Sequence, residues 1–280
     1  MNAIEIKNLR KSYTDFELNV SFSIPQGLCC GFVGTNGAGK TTTLKSMLGM
    51  VLKDSGEIRL LGKPDDNVTV KADIGVMFDQ PYFQEDWTPL DVEKGIMPFY
   101  RCWNGSVYRK YLSRFELDPE KKFKNLSRGM KTKLAMAVNL SHDAKLLLLD
   151  EPTAGLDPAA RDEILDIMRD YMVQDGRTIL FSTHITSDLE RIADMIVYIS
   201  RGAISFCGEK DELTDKYCVV RGGKLPDVKR KDAIGLREHA SGYECLMELE
   251  SIGGLPTDTI MDRATVEDVV VYMERSSKNV

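Results

Sequence analysis

The first thirty residues alternate apolar and polar side chains in two short stretches, AIEIKNL and FELNVSFSI. A period of two puts one face of each on a core and the other in water, so both are predicted as half-buried antiparallel strands. From Cys29 the pattern changes. Cys29 to Val33 runs apolar into Gly34, and GTNGAGKT leads on to the helix-like TTLKSMLGM, which reads as strand, glycine loop, helix. Further continuous apolar runs occur at IGVMF (74 to 78), LLLL (146 to 149), TILFS (178 to 182) and MIVYIS (195 to 200). Continuous rather than alternating runs suit parallel strands buried on both faces, and the expected fold is an α/β core with crossover connections.

From about residue 82 to residue 140 the pattern becomes helical and aromatic, with Trp87, Tyr100, Trp103, Tyr108, Tyr111 and Phe115 among frequent charges. That segment reads as a helical insertion. Its aromatic stretch from Tyr82 to Tyr111 is either the core of the insertion or a surface for a membrane partner. Beyond about residue 215, Arg221, Gly222 and Gly223 lead into a tail with one strand-like piece, ECLMELE, and one last helix. Thr265 with Asp268 three residues on forms a capping box for that helix, and Val266, Val269, Val270 and Met273 share one face.

Composition narrows the classes. At 280 residues the chain is expected to hold one large domain or one domain carrying a smaller extension. The net charge of −6 argues against nucleic acid as a partner, which would call for a basic footprint. No run approaches the roughly 18 apolar residues of a membrane span, and the opening MNAIEIKNLRKSY lacks a secretory pattern, so a cytoplasmic location is expected. The six cysteines form no CxxC pair and no zinc spacing, and are expected as reduced thiols.

Gly34, Gly39, Lys40 and Thr41 satisfy GxxxxGK[ST], a phosphate-binding loop. Its backbone N–H groups, through Asn36, Gly37, Ala38 and Thr42, wrap phosphates at the positive end of the following helix. Lys40 is expected to reach the β- and γ-phosphates, and the Thr41 hydroxyl to ligate Mg²⁺. LLLLDE ends a buried strand in two acids, which would place Asp150 beside Mg²⁺ and Glu151 beside an attacking water, as general base or water-orienting residue. His184, in STH after the strand TILFS, sits where it can sense the γ-phosphate, whereas His142 and His239 are read as structural.

With LSRGM at residues 126 to 130 shortly before LLLLDEPTAGLD, residues 2 to 215 resemble the ATP-binding subunits of ABC transporters. The resemblance implies an ABC-ATPase fold: a P-loop parallel-sheet core, an N-terminal antiparallel β subdomain and a helical insertion. It implies an ATPase domain over 1–215 and a small C-terminal extension over 216–280. It also implies ATP and Mg²⁺ held between the phosphate loop of one subunit and Ser127 and Gly129 of a second, in a homodimer or heterodimer. Tyr13 matches the aromatic that stacks on adenine, Asp157 lies in the loop facing the partner, and His184 matches the switch histidine. A separate membrane permease would be the further partner, holding the protein at the inner face of the cell membrane without direct insertion.

Two departures stand out. The family's usual signature is LSGGQ, so Arg128 replaces a glycine and Met130 a glutamine. A gapless count puts Asp79 rather than Gln80 at the coupling-loop glutamine, and both remain candidates to reach Mg²⁺ or the water. The LSRGM variant, the VMFDQP loop and the tail ATVEDVVVYM together look like exporters of drugs, bacitracin or lantibiotics. A soluble ABC-type ATPase acting on ribosomes, nucleic acid or cofactor assembly fits less well, because the chain has one cassette and no heptads. A binding module with a degenerate site is disfavoured by the presence of both Glu151 and His184.

Overall fold

The computed structural model describes residues 1–79 and 83–278. In chain order it contains β1 (Asn2–Ser12), β2 (Glu17–Pro25), β3 (Cys29–Val33), α1 (Lys40–Met47), β4 (Ser55–Leu60), β5 (Lys63–Pro64), α2 (Val68–Lys71) and β6 (Ile74–Met77). The insertion supplies α3 (Pro89–Ile96), α4 (Gly105–Arg114) and α5 (Arg128–Leu140). The chain then returns through β7 (Leu146–Asp150), α6 (Pro158–Met172), β8 (Thr178–Thr183), α7 (Thr186–Ile192), β9 (Met195–Ser200) and β10 (Ala203–Glu209). The tail holds α8 (Lys210–Lys216), β11 (Tyr217–Gly222), β12 (Ile234–His239), β13 (Gly242–Glu248), β14 (Ile260–Arg263) and α9 (Val266–Lys278).

Among the described residues, one sheet has the strand order β5-β4-β1-β2-β10-β9-β3-β8-β7-β6. The five continuous apolar runs are its parallel half, with β9, β3, β8, β7 and β6 each parallel to the next. Alternate residues of these strands enter opposite cores. Leu147, Leu149, Ile179 and Phe181 join the helices of one face, while Leu146, Leu148, Leu180 and Phe32 join β1, β2 and α1 on the other. That two-sided burial is why these strands lack polar alternation.

β1 and β2 pair antiparallel with the alternating burial their sequence calls for. β10 is a different case: its positions alternate between exposed and half-buried, so no apolar stripe marks it in the sequence. The tail needs correction. Where one strand-like piece is expected, four strands form a second sheet, in the order β12-β13-β11-β14. β14 is exposed throughout and the second half of β12 is exposed, so only Ile234–Leu236 of β12 turns to a core and no full apolar stripe marks either strand. The last helix follows expectation. Asp268 N donates to Thr265 Oγ1 at 3.1 Å and Thr265 N to Asp268 Oδ2 at 3.0 Å, closing the capping box. Val266, Val269 and Val270 are buried in the same core as Leu213, Tyr198 and Ile196, with Met273 packed against it.

The aromatics of the insertion are mostly core. Tyr108 and Phe115 are fully buried, and Trp87, Trp103 and Tyr111 pack half-buried on the same cluster. Among the described residues of the insertion, Phe99, on a 3₁₀ turn of residues 97–99, departs from this at 78% exposed. His142 is buried and stacks on Tyr100 with ring centroids 3.9 Å apart.

Candidate functional site

The parallel strands end on one edge, and register brings their C-terminal residues together. Val33 pairs with Thr183 and Asp150 with Ser182, so the glycine loop after β3, the acidic pair ending β7 and the His184 turn after β8 emerge side by side. Carboxyl ends of adjacent parallel strands are where α/β sheets bind ligands.

The loop wraps tightly because its glycines permit it. Gly39, the residue before α1, has φ of 113°, and a Cβ there would stand 2.8 Å from Leu18 Cδ1. A Cβ on Gly34 would meet the Ile199 carbonyl oxygen at 2.3 Å. Ala38 is buried beneath the loop, while Thr35, Asn36 and Gly37 are exposed on it. Lys40 is only 6% exposed and folds back along the loop, its Nζ donating to Gly34 O at 2.6 Å and to Thr35 O at 3.2 Å. Burial pulls the Lys40 ammonium below the ordinary lysine range, and Glu151 and then Asp150 partly hold it up.

Thr41 Oγ1 donates to Asp150 Oδ2 at 2.8 Å, and Ser182 Oγ donates to Asp150 Oδ1 at 2.5 Å. Ser182 Oγ also accepts from Glu151 N at 3.0 Å. This serine escapes the sequence reading, although its place two residues before His184 on the strand beside β7 marks it. Glu151 has a positive φ of 52°, which turns its side chain out of the strand line. One carboxylate oxygen lies 3.7 Å from Lys40 Nζ and the other 2.7 Å from His184 Nδ1.

These groups border an open cleft of about 620 Å³, lined by Asn36, Gly37, Gly39, Lys40, Thr41, Thr42, Asp150, Glu151, Asp79 and Tyr13. Tyr13 is half exposed at its rim, tilted against Phe16 at 6.3 Å, and Phe16 lines the cleft as well. Two aromatic rings at one end and an amide-lined, lysine-bearing loop at the other suit a purine base and a polyphosphate. Asp79 lines the cleft, and its carboxylate accepts from Arg128 Nη2 at 2.5 Å. Gln80 lies outside the described residues.

Ser127 and Gly129 do not line the cleft of their own chain. Ser127 caps α5, accepting from Met130 N at 3.3 Å, and is exposed. A Cβ on Gly129 would make only ordinary contacts, at 3.8 Å to Ala160 Cβ and Leu156 Cδ2. Asp157 caps α6 by accepting from Ala159 N and Ala160 N. Among the described residues no helix is long and apolar enough to cross a membrane.

Comparison with known proteins accords with this geometry. The family model described as ABC transporter matches residues 18–154. A Nod factor export ATP-binding protein I of Bradyrhizobium sp. (strain SNU001) is 34% identical over 252 residues, covering 86% of this chain and 80% of that protein. The lantibiotic transport ATP-binding protein SrtF of Streptococcus pyogenes is 34% identical over 214 residues, covering 74% and 91%. Among solved structures, an ATP-binding subunit of an ABC transporter superposes with a TM-score of 0.68 at 27% identity, covering 75% of this chain and 91% of that one. The ATP-binding cassette MJ0796, a dimer in a post-hydrolysis state with ADP and Pi, superposes at 0.64 with 25% identity, covering 74% and 98%. The chain belongs to the ATP-binding subunits of ABC transporters, and it is an ATPase of that family.

Proposed function

We propose that this subunit powers an exporter by closing with a second ATP-binding subunit around two ATP molecules and reopening on hydrolysis, and that Glu151 is the general base. The observation that carries the assignment is the Glu151 carboxylate at the cleft, between Lys40 Nζ at 3.7 Å and His184 Nδ1 at 2.7 Å. The lysine bonds to loop carbonyls and neighbours the base. Triphosphate offers it a stronger, doubly charged partner, so Lys40 turns to the phosphates and Glu151 loses its cationic neighbour. Glu151 then takes the proton of the attacking water, and His184 holds the carboxylate in orientation.

The Thr41 hydroxyl and Asp150 carboxylate form an oxygen donor set at the phosphate end of the cleft, which fits Mg²⁺. When bound, that ion offsets phosphate charge. Asp150 is already fixed by Ser182, so it needs little reordering to serve as a ligand. Tyr13 stacks on the adenine, and the Asn36–Thr42 amides cradle the phosphates.

Ser127 and Gly129 complete the site from the other subunit, which makes the active form a homodimer or heterodimer. Nothing in its own chain requires residue 129 to be glycine. Its bare backbone at the start of α5, beside the Ser127 hydroxyl, instead leaves room for an anion from outside. Both transport relatives compared above are named for export or lantibiotic transport, which supports the direction and a permease partner that holds the protein at the cytoplasmic face of the membrane. Phe99, exposed on the insertion, is a contact for that permease. Residues 1–215 form the motor, and 216–280 an extension braced against it through α9. The test is Glu151→Gln, which is to retain ATP binding and lose turnover. Near-normal turnover removes Glu151 from this role.

A further inference from the structure

Arg128, which departs from the family's usual signature, touches Asp79, one of the two candidates at the coupling-loop position. Arg128 Nη2 donates to Asp79 Oδ1 at 2.5 Å across 49 positions of sequence. The same guanidinium lies over Gly155, in the loop between β7 and α6, where a Cβ would stand 2.9 Å from Arg128 Nη1 and 3.0 Å from its Cζ. Gly155 has φ of 69°, so the loop turns under the arginine in a conformation that favours glycine. One side chain therefore joins three segments: the start of α5 that carries Ser127 and Gly129, the cleft edge at Asp79, and the loop leading to Asp157.

Helix stability does not explain an arginine here. Arg128 is the first residue of α5, where the positive end of the helix dipole opposes a cation. Nor does the pair contribute much to folding, since both side chains are nearly half exposed. What the contact does is geometric. It fixes Asp79, which lines the nucleotide cleft, relative to the exposed Ser127–Gly129 segment.

We propose that Arg128 is a positioning residue for ATP-driven closure, holding the LSRGM segment in register with its own chain's cleft through Asp79 and the Gly155 loop. The proposal rests on the two-subunit reading above. ATP entering the cleft acts on Asp79, and the arginine carries that change to the surface offered to the other subunit. Losing the link leaves nucleotide binding to one chain intact and lowers the frequency of productive closure.

The experiment is a double-mutant cycle with Arg128→Gln and Asp79→Asn, plus the charge exchange Arg128→Glu with Asp79→Lys. It measures kcat, KM for ATP, MgATP affinity of the Glu151→Gln protein, and melting temperature. Each single variant is expected to lose about tenfold in kcat with ATP affinity within about twofold and melting temperature nearly unchanged. The double variant is expected to fall no further than either single, and the exchange to recover part of the loss. Losses that multiply in the double variant, an unchanged kcat, or a melting temperature that falls in parallel with kcat overturns the proposal. Failure of the underlying reading shows separately, as a Glu151→Gln protein that turns over ATP or does not dimerise with it.

Discussion

His184 Nδ1 stands 2.7 Å from Glu151 Oε2, so the residues proposed as switch histidine and general base form one hydrogen-bonded unit. Glu151→Gln keeps the shape of that unit and removes its capacity to take a proton. Turnover is expected to fall by about 10² to 10⁴, the usual contribution of general base catalysis, with ATP affinity retained. Steady-state phosphate release beside nucleotide-binding calorimetry measures both.

Lys40→Ala acts one step earlier. It removes the cation that pairs with phosphate and also empties the place of an ammonium bonded to Gly34 O. A charged hydrogen bond of this kind is worth about 1.5 to 3 kcal/mol, so ATP affinity is expected to drop at least about tenfold. Calorimetry showing equal affinity for variant and wild type contradicts the phosphate-loop assignment.

The readable part of this fold was the part where burial is two-sided or strictly alternating. The β3, β6, β7, β8 and β9 strands announce themselves because water reaches neither face, and β1 and β2 because it reaches one. The tail sheet was hidden because β14 is exposed throughout and β12 turns only Ile234–Leu236 inward, so their pairing is dictated by β11 and β13 rather than by a stripe of their own. At the site, residues fixed by local chemistry were visible: glycines forced by the loop, Lys40, and the acidic pair. Ser182 and the Arg128–Asp79 contact were not, because each depends on which strand or loop lies alongside.

Acid is expected to destabilise the protein through His142. Burial pushes its imidazole down to about 4 from an ordinary 6.5. Unfolded chains then bind a proton that the folded chain refuses, so stability is full above about pH 6.5 and declines as pH falls toward 4. Between pH 8 and pH 5 the loss from this one group is about 2 kcal/mol. Urea titrations at both pH values, repeated with His142→Phe, are expected to show a smaller pH effect in the variant. An equal effect in both proteins assigns the pH dependence elsewhere.

Val269 tests whether the extension is part of the motor's core. It is fully buried in the cluster that also contains Ile196 and Tyr198 of β9. Val269→Ala removes two carbons and is expected to cost about 2 kcal/mol from transfer and cavity terms together. Because that cluster spans residues on both sides of position 215, the whole denaturation curve is expected to shift as one transition. A separate early transition confined to the tail, with the main one unmoved, contradicts the shared core.

ATP is expected to join two chains through the LSRGM segment, and light scattering with size-exclusion chromatography of the Glu151→Gln protein measures whether it does. The expected particle has the 31.5 kDa chain mass without nucleotide and twice that mass with MgATP. Adding Ser127→Arg is predicted to abolish the dimer while each chain still binds ATP. A protein that stays monomeric with saturating MgATP, or one whose Ser127→Arg form dimerises equally well, contradicts the account.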